Sequence, residues 1–394
     1  MVVEGLHDDA AAAGRRALAH AKRLVVKVGS SSLTDAEGHL DTKALGRLAE
    51  ALATKANQGK ATPTGKGPLP GTQIVLVTSG AVAAGLKPLG FASRPTDLAS
   101  VQAAASVGQS HLIAEYDRAF AKHGLIVAQV LLTASDTVRR KRYENSRRTL
   151  DRLLQLGVIP IVNENDAVTV AELKFGDNDR LAALTALLVR ADGLVLLTDV
   201  PGLYNKSPKE PDAQRIPYVG DLTQVEGISI TSHGSSVGTG GMVTKLDAVQ
   251  IATTSGIPTI LAGANQIVDA LNGGDVGTYF AAGHRRASGR MHWLAHAAVV
   301  RGRLTLDDGA AAAVRNTGAS LLAVGVTKVT GDFEAGDPIE LANREGHIIA
   351  RGLAAFNSIE LPQLLGRNSR WLHEALGERF DRPVVHRDDL VLID

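Results

Sequence analysis

Residues 157–179 read GVIPIVNENDAVTVAELKFGDND, an apolar run followed directly by a dense polar cluster. The run Val158–Val162 is short, continuous and rich in β-branched residues, which predicts a buried strand. The 17 residues that follow it contain five carboxylates and three asparagines. In open α/β sheets, ligands bind beyond the carboxyl ends of the strands, so this stretch predicts a binding site at the end of a core strand. An ordinary polar surface loop is the alternative interpretation.

Short apolar runs of the same kind recur at helix-sized intervals through residues 21–285. They are Leu24–Val28, Ile74–Val77, Ile126–Leu132, Leu194–Leu197 and Thr259–Leu261. The alanine- and leucine-rich segments between them predict helices at Thr42–Ala56, Leu98–Lys122, Thr137–Leu156, Asn178–Arg190 and Thr244–Ser255. Helix C-caps are expected at the glycines that follow, Gly124, Gly157, Gly193 and Gly256. The region therefore predicts an α/β domain, with a mostly parallel sheet sandwiched between helices.

The pattern changes after this region. Residues 286–296 predict a linker, and residues 297–394 predict a small β-rich domain. Its expected strands are Val299–Leu306, Val324–Val329, Pro338–Leu341, Ile348–Leu353 and Leu390–Ile393. Helical segments are expected near Ala310–Val314 and over Leu361–Leu376.

Two further segments stand outside these patterns. Residues 1–20 predict an N-terminal extension, frayed or helical. Lys55–Gln73 is rich in Gly, Pro and Lys and carries no periodicity, which predicts a flexible loop. This loop joins a helix to the following strand, so we expect it at the amino edge of the sheet, away from the ligand crevice.

Composition excludes several classes of function. Lys and Arg number 42 against 41 Asp and Glu, so no net field favours nucleic acid or an anionic membrane. The absence of cysteine excludes disulfides, thiolate metal sites and a cysteine nucleophile. The sequence contains neither a signal peptide nor a run of ~18 apolar residues, so we expect a cytoplasmic protein that does not span a membrane.

Two strand ends carry groups suited to anions. Lys27 lies inside an apolar run, where an ammonium is costly unless an anion meets it. A lysine that extends from a strand end to solvent is the alternative. In the second motif, Ser79 and Gly80 stand where a strand turns into a helix, and free N–H groups at that point favour a carboxylate or phosphate. The alternative there is an ordinary N-cap serine.

Two later loops suit a polyphosphate. Thr198 and Asp199 end a strand before a Pro-Gly turn, and a glycine-rich loop runs into a helix that we expect to open near Thr244. Eight residues make up this second loop: Gly238, Thr239, Gly240, Gly241, Met242, Val243, Thr244 and Lys245. They match neither the Walker spacing nor GxGxxG, but the glycines allow close backbone approach. A loop that is merely mobile is the alternative.

Taken together, these groups predict phosphoryl transfer to an anionic acceptor. A protein that catalyses this reaction must hold two negatively charged partners in line. It must also neutralise the charge that spreads over the transferred phosphoryl group. Two lysines, two anion-ready turns and a carboxylate cluster supply what that reaction needs.

The chain resembles the amino acid kinase family, and within it the enzymes that phosphorylate glutamate. Seven motifs carry the resemblance: LVVKVGSSSLT (24–34), VTSGAVAAG (77–85), VGQSHLI (107–113), PIVNENDAV (160–168), FGDND (175–179), LLTDVPGLY (196–204) and GTGGMVTK (238–245). Residues 302–314, 320–337 and 384–391 are similar to a PUA domain, a small β-rich barrel that is appended to many such enzymes. The resemblance covers roughly residues 22–390.

The resemblance implies a role for each motif residue. Lys27 and Lys245 would contact the transferring phosphoryl group of ATP, and Asp179 would orient both lysines. Four residues would bind L-glutamate, with Gly80 beside its reacting end: Ser79, Gly80, Asp166 and Asn178. Thr198–Asp199 and Gly238–Lys245 would line the nucleotide site. Mg²⁺ is expected with ATP and held mainly by phosphate oxygens, so no protein ligand is assigned to the metal.

It also implies partners. The product would be L-glutamyl 5-phosphate, the first intermediate of proline biosynthesis, and L-proline would inhibit the enzyme. A homo-oligomer, dimer or tetramer, and hand-off of the product to a glutamyl phosphate reductase are expected.

Two other functions also fit parts of the sequence. A sister kinase acting on another carboxylate would share the fold and the mechanism. An RNA-binding PUA protein would explain the basic run at residues 139–148, RRKRYENSRR. Aromatic residues make up only 4% of the chain, which leaves few stacking platforms for single strands.

Overall fold

In the computed structural model, contacts divide the chain into two compact units. The first comprises Met1–Thr137 and Glu144–Arg286, and the second Val138–Tyr143 and Ala287–Asp394. The structure describes residues 2–35, 37–58, 71–133, 136–137, 140–168, 178–208, 210–225, 241–283, 294, 300–377 and 380–393. Three sequence-based expectations fall wholly or mostly outside these residues: the loop centre at 59–70, the glycines at 238–240, and the linker at 286–296 apart from Leu294.

The first unit is an eight-stranded sheet flanked by helices. Its strands are β1 (Arg23–Val28), β2 (Gln73–Thr78), β3 (Val127–Leu132), β4 (Ile159–Glu164), β5 (Gly193–Thr198), β6 (Tyr218–Val219), β7 (Thr259–Gly263) and β8 (Thr278–Phe280). Its helices are α1 (Val2–Ala19), α2 (Thr42–Asn57), α3 (Ala81–Leu86), α4 (Leu98–Ala121), α5 (Arg140–Gln155), α6 (Asn178–Leu188), α7 (Met242–Thr254) and α8 (Ile267–Asn272). The strand order is β3-β4-β2-β1-β5-β7-β8-β6.

Among the recorded pairings of this sheet, only β7 with β8 is antiparallel, so the expected mostly parallel sheet is confirmed. Every strand predicted for the first unit is present. The predictions omitted β6 and β8, because two or three residues are too short to give a hydropathy pattern.

The register brings four strand ends to one edge of the sheet. Val28 on β1 lies between Thr78 on β2 and Leu197 on β5. On the far side of β2, Val77 pairs with Val162 on β4. The residues that follow these positions therefore leave the sheet side by side, as binding at the carboxyl ends of parallel strands requires.

The expected helix C-cap at Gly193 is wrong. Gly193 is the first residue of β5, and a Cβ placed there would lie 2.8 Å from Leu18 Cδ1. The left-handed residue that follows α6 is Arg190, with a φ of 52°. At the other three positions, Gly124, Gly157 and Gly256, φ is positive as a C-cap requires.

The expected loop at Lys55–Gln73 begins too early. Helix α2 continues to Asn57, and Lys55 is 3% exposed within its last turn. The Lys55 ammonium donates to the carbonyl of Ala19, the last residue of α1, at 2.5 Å. Lysine at a helix C-terminus satisfies carbonyls that have no partner inside the helix, so Lys55 joins α2 to α1.

The N-terminal extension is helical and is anchored in the first unit. Arg15 on α1 is 2% exposed, and its guanidinium pairs with Asp275 at 3.1 Å. It also donates to the carbonyls of Pro217 at 2.9 Å and Gly277 at 3.0 Å. These bonds tie α1 to the segments that carry β6 and β8.

Helices α3 and α4 approach each other through two glycines. A Cβ at Gly108 would lie 1.7 Å from the carbonyl oxygen of Ala81, and one at Gly85 would lie 1.9 Å from that of Ala104. Both obstacles are backbone atoms, which cannot turn aside as a side chain can. The two glycines therefore set the distance between α3 and α4.

Gly108→Ala is expected to destabilise the protein by roughly 1–3 kcal/mol, the usual range for an overpacked core. Urea unfolding followed by circular dichroism measures the change. The matched control is Gly46→Ala on α2, where a Cβ meets nothing within 4 Å. Alanine in an open helical position is favoured by roughly 0.5–1 kcal/mol, so the control should gain stability. Equal effects of the two substitutions would contradict the close contact.

The second unit contains a five-stranded sheet, in the order β10-β9-β11-β12-β13. The strands are β9 (Gly302–Leu306), β10 (Val326–Gly331), β11 (Pro338–Ala342), β12 (Ile348–Leu353) and β13 (Leu390–Leu392), with helices α9 (Asp308–Thr317) and α10 (Ser369–Leu376). The predicted single helical stretch Leu361–Leu376 is wrong. It divides into a 3₁₀ turn at Leu361–Leu364 and α10, with Gly366 in the left-handed region between them. No described helix of either unit is long and apolar enough to cross a membrane.

Candidate active site

The centre of the site is a buried carboxylate held between two lysines. Asp179, in the first turn of α6, is 0% exposed. Its Oδ1 lies 2.5 Å from Lys27 Nζ on β1, and its Oδ2 lies 3.1 Å from Lys245 Nζ in the first turn of α7. The two lysine side chains are 3% and 10% exposed. One carboxylate therefore compensates two ammonium groups that are buried away from water. Burying either ammonium without a carboxylate beside it would be costly.

This geometry decides between the two interpretations of Lys27. The side chain does not extend to solvent, since its ammonium meets Asp179. A Cβ at Gly29, two residues later, would lie 3.6 Å from Lys27 Nζ, which is ordinary van der Waals contact. The fold thus brings Lys27 of β1 and Lys245 of α7, which are far apart in sequence, to the same carboxylate.

Three oxygen atoms lie within hydrogen-bonding distance of the Asn178 amide nitrogen and share its two protons. Asn178 Nδ2 lies 2.8 Å from the carbonyl oxygen of Thr78, 2.8 Å from Ser79 Oγ and 2.9 Å from Asn163 Oδ1. This orientation points the amide nitrogen of Asn178 at β2 and β4. Ser79 and Asn178, which the sequence predicted as one site, are therefore in direct contact.

Two buried amide atoms in this network have no hydrogen-bond partner among the described residues: Asn178 Oδ1 and Asn163 Nδ2. The first is an acceptor and the second a donor. A buried polar atom without a partner costs free energy, so a ligand that offers both a donor and an acceptor would be stabilised here. The ammonium and carboxylate of an amino acid are such a pair.

Asn163 is a site residue to which the sequence analysis assigned no role. Strand β4 runs two residues past the apolar stretch, to Glu164, and Asn163 is only 3% exposed. Its Oδ1 also accepts from the backbone N–H of Glu164 at 2.9 Å. The available signal was position, because Asn163 directly follows the last apolar residue of a core strand.

Ser79 is not an N-cap serine. Gly80 occupies the N-cap of α3, with a φ of 101°, and Ser79 Oγ instead accepts from Asn178. Helix α3 has only six residues, which leaves little dipole to attract an anion. An anion at this turn would therefore be bound by the Ser79 hydroxyl and the nearby N–H groups rather than by a helix dipole.

Asp166 lies two residues beyond the end of β4, in a half-buried turn. The same turn is tied back to β3 by the Asn165 N–H, which donates to the Leu132 carbonyl at 2.9 Å. This places Asp166 at the strand edge that carries Asn163, while its role in binding stays a prediction.

The structure describes part of the two segments that the sequence predicts to line a nucleotide site. Thr198 ends β5, is 3% exposed, and donates through Oγ1 to Asp199 Oδ1 at 2.9 Å. Helix α7 begins at Met242, two residues before the expected start near Thr244. Met242 and Val243 are therefore helical, and Gly241 is the N-cap.

Comparison with known proteins identifies the family of each part of the chain. Residues 22–263 match the amino acid kinase family, and residues 302–376 match the PUA domain. The glutamate 5-kinase of Streptomyces avermitilis is 51% identical over 382 residues, which is 97% of this chain and 99% of that protein. The glutamate 5-kinase of Thermobifida fusca is 50% identical over 96% of this chain and 95% of its own.

Among solved structures, a carbamate kinase from Giardia lamblia bound to AMP-PNP matches 67% of this chain and 100% of its own, at 18% identity and a TM-score of 0.49.

Proposed function

Because the chain belongs to the amino acid kinase family, we propose that the residues gathered at its strand ends transfer a phosphoryl group from ATP to glutamate. The chain is a phosphotransferase that phosphorylates the γ-carboxylate of L-glutamate with ATP and serves proline biosynthesis. The observation that carries this assignment is the 51% identity over 97% of the chain to a glutamate 5-kinase. The buried pair of lysines accounts for the chemistry.

We assign charge stabilisation to Lys27 and Lys245. In phosphoryl transfer, negative charge spreads over the oxygens of the transferred group while the donor and acceptor oxygens stand in line. Two ammonium groups fixed on one buried carboxylate are already oriented and already out of water, so they need little reorganisation when that charge develops. Asp179 acts through the lysines and holds both.

We assign glutamate binding to the network around Asn178. Asn178 Oδ1 would accept from the substrate ammonium, and Asn163 Nδ2 would donate to a substrate carboxylate. Asp166 would provide the countercharge for the ammonium, and Ser79 with Gly80 would face the γ-carboxylate. The two buried amide atoms without partners support this assignment, since an amino acid would satisfy both.

We assign the nucleotide to Thr198, Asp199 and the segment from Gly238 to Lys245. Thr198 and Asp199 stand at the end of β5, beside β1 in the sheet, so the nucleotide would lie on the same edge as Lys27. Lys245, in the first turn of α7, would reach its terminal phosphate.

Mg²⁺ would be held by phosphate oxygens of ATP and would neutralise part of their charge. Each oxygen of Asp179 already contacts a lysine ammonium, so this carboxylate is not placed to bind a metal. The described part of the chain contains no cluster of three His, Cys, Asp or Glu side chains that could hold an ion. The residues therefore fit an ion carried by the nucleotide, and we assign it no protein ligand.

One assay tests the function directly. Purified protein is incubated with ATP, Mg²⁺ and L-glutamate, and the acyl phosphate is trapped with hydroxylamine as the hydroxamate. Hydroxamate should form with glutamate and not with aspartate or N-acetylglutamate. Preference for either of the other acceptors would support a sister kinase instead.

Asp166→Asn is expected to raise the KM for glutamate by roughly 10-fold or more, because a charged hydrogen bond to the substrate ammonium becomes a neutral one. The KM for ATP should stay unchanged. Initial rates at varied glutamate and varied ATP measure both constants. A rise confined to the ATP KM would contradict the assignment.

Regulation and assembly are further proposals. We propose that L-proline inhibits the enzyme, that the chain forms a dimer or tetramer in the cytoplasm, and that the product passes to a glutamyl phosphate reductase. Adding proline to the hydroxamate assay tests the proposed inhibition.

We also propose that residues 21–285 form the kinase domain and residues 297–394 the PUA-like domain. RNA binding by the PUA-like domain is the alternative activity, which a filter-binding assay with structured RNA would test.

A further inference from the structure

We propose that Tyr116 and Thr78 form a relay of two hydroxyl groups that positions the Ser79–Gly80 peptide for the γ-carboxylate of the substrate. Tyr116 lies on α4 and Thr78 is the last residue of β2. Neither side chain is assigned to substrate binding, so both are positioning residues. The inference rests on the proposed role of Ser79 and Gly80 in glutamate binding.

The relay begins at a tyrosine that is fully buried. Tyr116 is 0% exposed, and its hydroxyl lies 2.8 Å from Thr78 Oγ1. Burial raises the pKa of Tyr116 above its ordinary value, so the hydroxyl keeps its proton at neutral pH and remains a donor.

The direction of the hydrogen bonds follows from counting protons. Thr78 Oγ1 lies 3.0 Å from the carbonyl oxygen of Ser79, which can only accept. The single proton of the Thr78 hydroxyl therefore goes to Ser79. With that proton used, Tyr116 must donate to Thr78, and the chain of donation runs from Tyr116 through Thr78 to Ser79.

This direction fixes a peptide plane at the substrate site. The bond from Thr78 Oγ1 to the Ser79 carbonyl closes a small ring that restricts the backbone of Ser79. In a trans peptide, the C=O of Ser79 and the N–H of Gly80 point in opposite directions. Holding the carbonyl toward Thr78 therefore turns the Gly80 N–H to the other side, where the γ-carboxylate is proposed to lie.

Gly80 needs such a restraint. Its φ of 101° lies in a region that glycine enters freely, and glycine also leaves it freely. Asn178 adds a second restraint, because its Nδ2 donates to the main-chain oxygen of Thr78 at 2.8 Å. Thr78 is thus fixed by α4 through its hydroxyl and by the glutamate-binding amide through its carbonyl.

Packing alone does not explain a tyrosine here. A buried tyrosine hydroxyl is costly unless it is bonded, and phenylalanine would fill nearly the same volume. The next aromatic residue on α4, Phe120, is also 0% exposed and lies 6.4 Å from Tyr116 between ring centroids. It packs without a hydroxyl, so the hydroxyl at Tyr116 has a separate role.

Tyr116→Phe and Thr78→Val each break the relay while nearly preserving volume. Each is expected to raise the KM for glutamate by roughly five-fold, the order of one hydrogen bond, with an unchanged KM for ATP. The double variant should show about the same rise as either single variant, because both interrupt one chain. Phe120→Leu is the packing control: it should lower Tm without changing either KM.

Three outcomes would overturn the relay: an unchanged glutamate KM in Tyr116→Phe, equal rises in both KM values, or additive rises in the double variant. Ser79→Ala separates this failure from failure of the proposed site. If Ser79→Ala raises the glutamate KM and Tyr116→Phe does not, the site stands and the relay is wrong. If Ser79→Ala leaves the glutamate KM unchanged, the proposed binding role of Ser79 is wrong and the relay falls with it.

Discussion

Replacing Lys245 with alanine is expected to lower kcat by about 10²–10³, the range for loss of one preorganised group that stabilises transition-state charge. The side chain is 10% exposed and bonded to Asp179 at 3.1 Å, so its ammonium is already fixed before the reaction begins. Water entering the space left by alanine would reorient as charge develops and would stabilise that charge less. Initial rates at saturating glutamate and ATP measure the loss. A near-normal kcat would remove Lys245 from the mechanism.

Lys55→Met is the matched control for that experiment. Lys55 is also a buried lysine on a helix of the first unit, but its one described bond goes to the Ala19 carbonyl. The control should lower Tm, since α1 loses a contact at its C-terminus, and should leave kcat unchanged. Comparable losses of kcat in both variants would attribute the effect of Lys245→Ala to disturbed folding.

Lys27 on β1 shows how much of the candidate site the sequence alone can predict. An ammonium inside an apolar run predicts an anionic partner, and five carboxylates near the end of another strand supply candidates. Which of the five meets Lys27 depends on the strand order, because only the order β4-β2-β1-β5 brings β1 and the start of α6 together. Local sequence cannot show that order. The resemblance to the kinase family supplied the choice of Asp179, and the structure places Asp179 at that position.

The differences between the sequence-based expectations and the structure have local causes. Asn163 belongs to a strand but breaks its apolar run, so a hydropathy pattern ends the strand two residues too early. Glycine usually occupies the left-handed position after a helix, which predicts a C-cap at Gly193, whereas Arg190 occupies that position here. Tyr116 has the helical spacing of a core residue, and its hydroxyl bond to Thr78 depends on a packing distance that only the fold determines.

Asp179→Asn is expected to have the largest effect on stability of any substitution in the site. The amide is nearly isosteric with the carboxylate but carries no charge, so two buried ammonium groups lose their compensation. Breaking a buried ion pair costs roughly 3–5 kcal/mol, because the remaining charge stays in a medium that solvates it poorly. Urea unfolding followed by circular dichroism, without nucleotide, measures this loss. We also expect kcat to fall by about 10²-fold or more, because neither lysine is then held in place.

A second substitution separates the two consequences. Adding Lys27→Met to Asp179→Asn removes one of the uncompensated ammonium groups and replaces it with an apolar side chain of similar length. Stability should return in part, because replacing buried charges with apolar groups is often neutral or stabilising. Activity should not return, because the double variant lacks Lys27 as well as the carboxylate that orients Lys245. If the double variant is no more stable than Asp179→Asn alone, Asp179 does not act by compensating buried charge. If kcat recovers with stability, Lys27 is not needed to stabilise the transferred charge, and the orienting role of Asp179 is wrong.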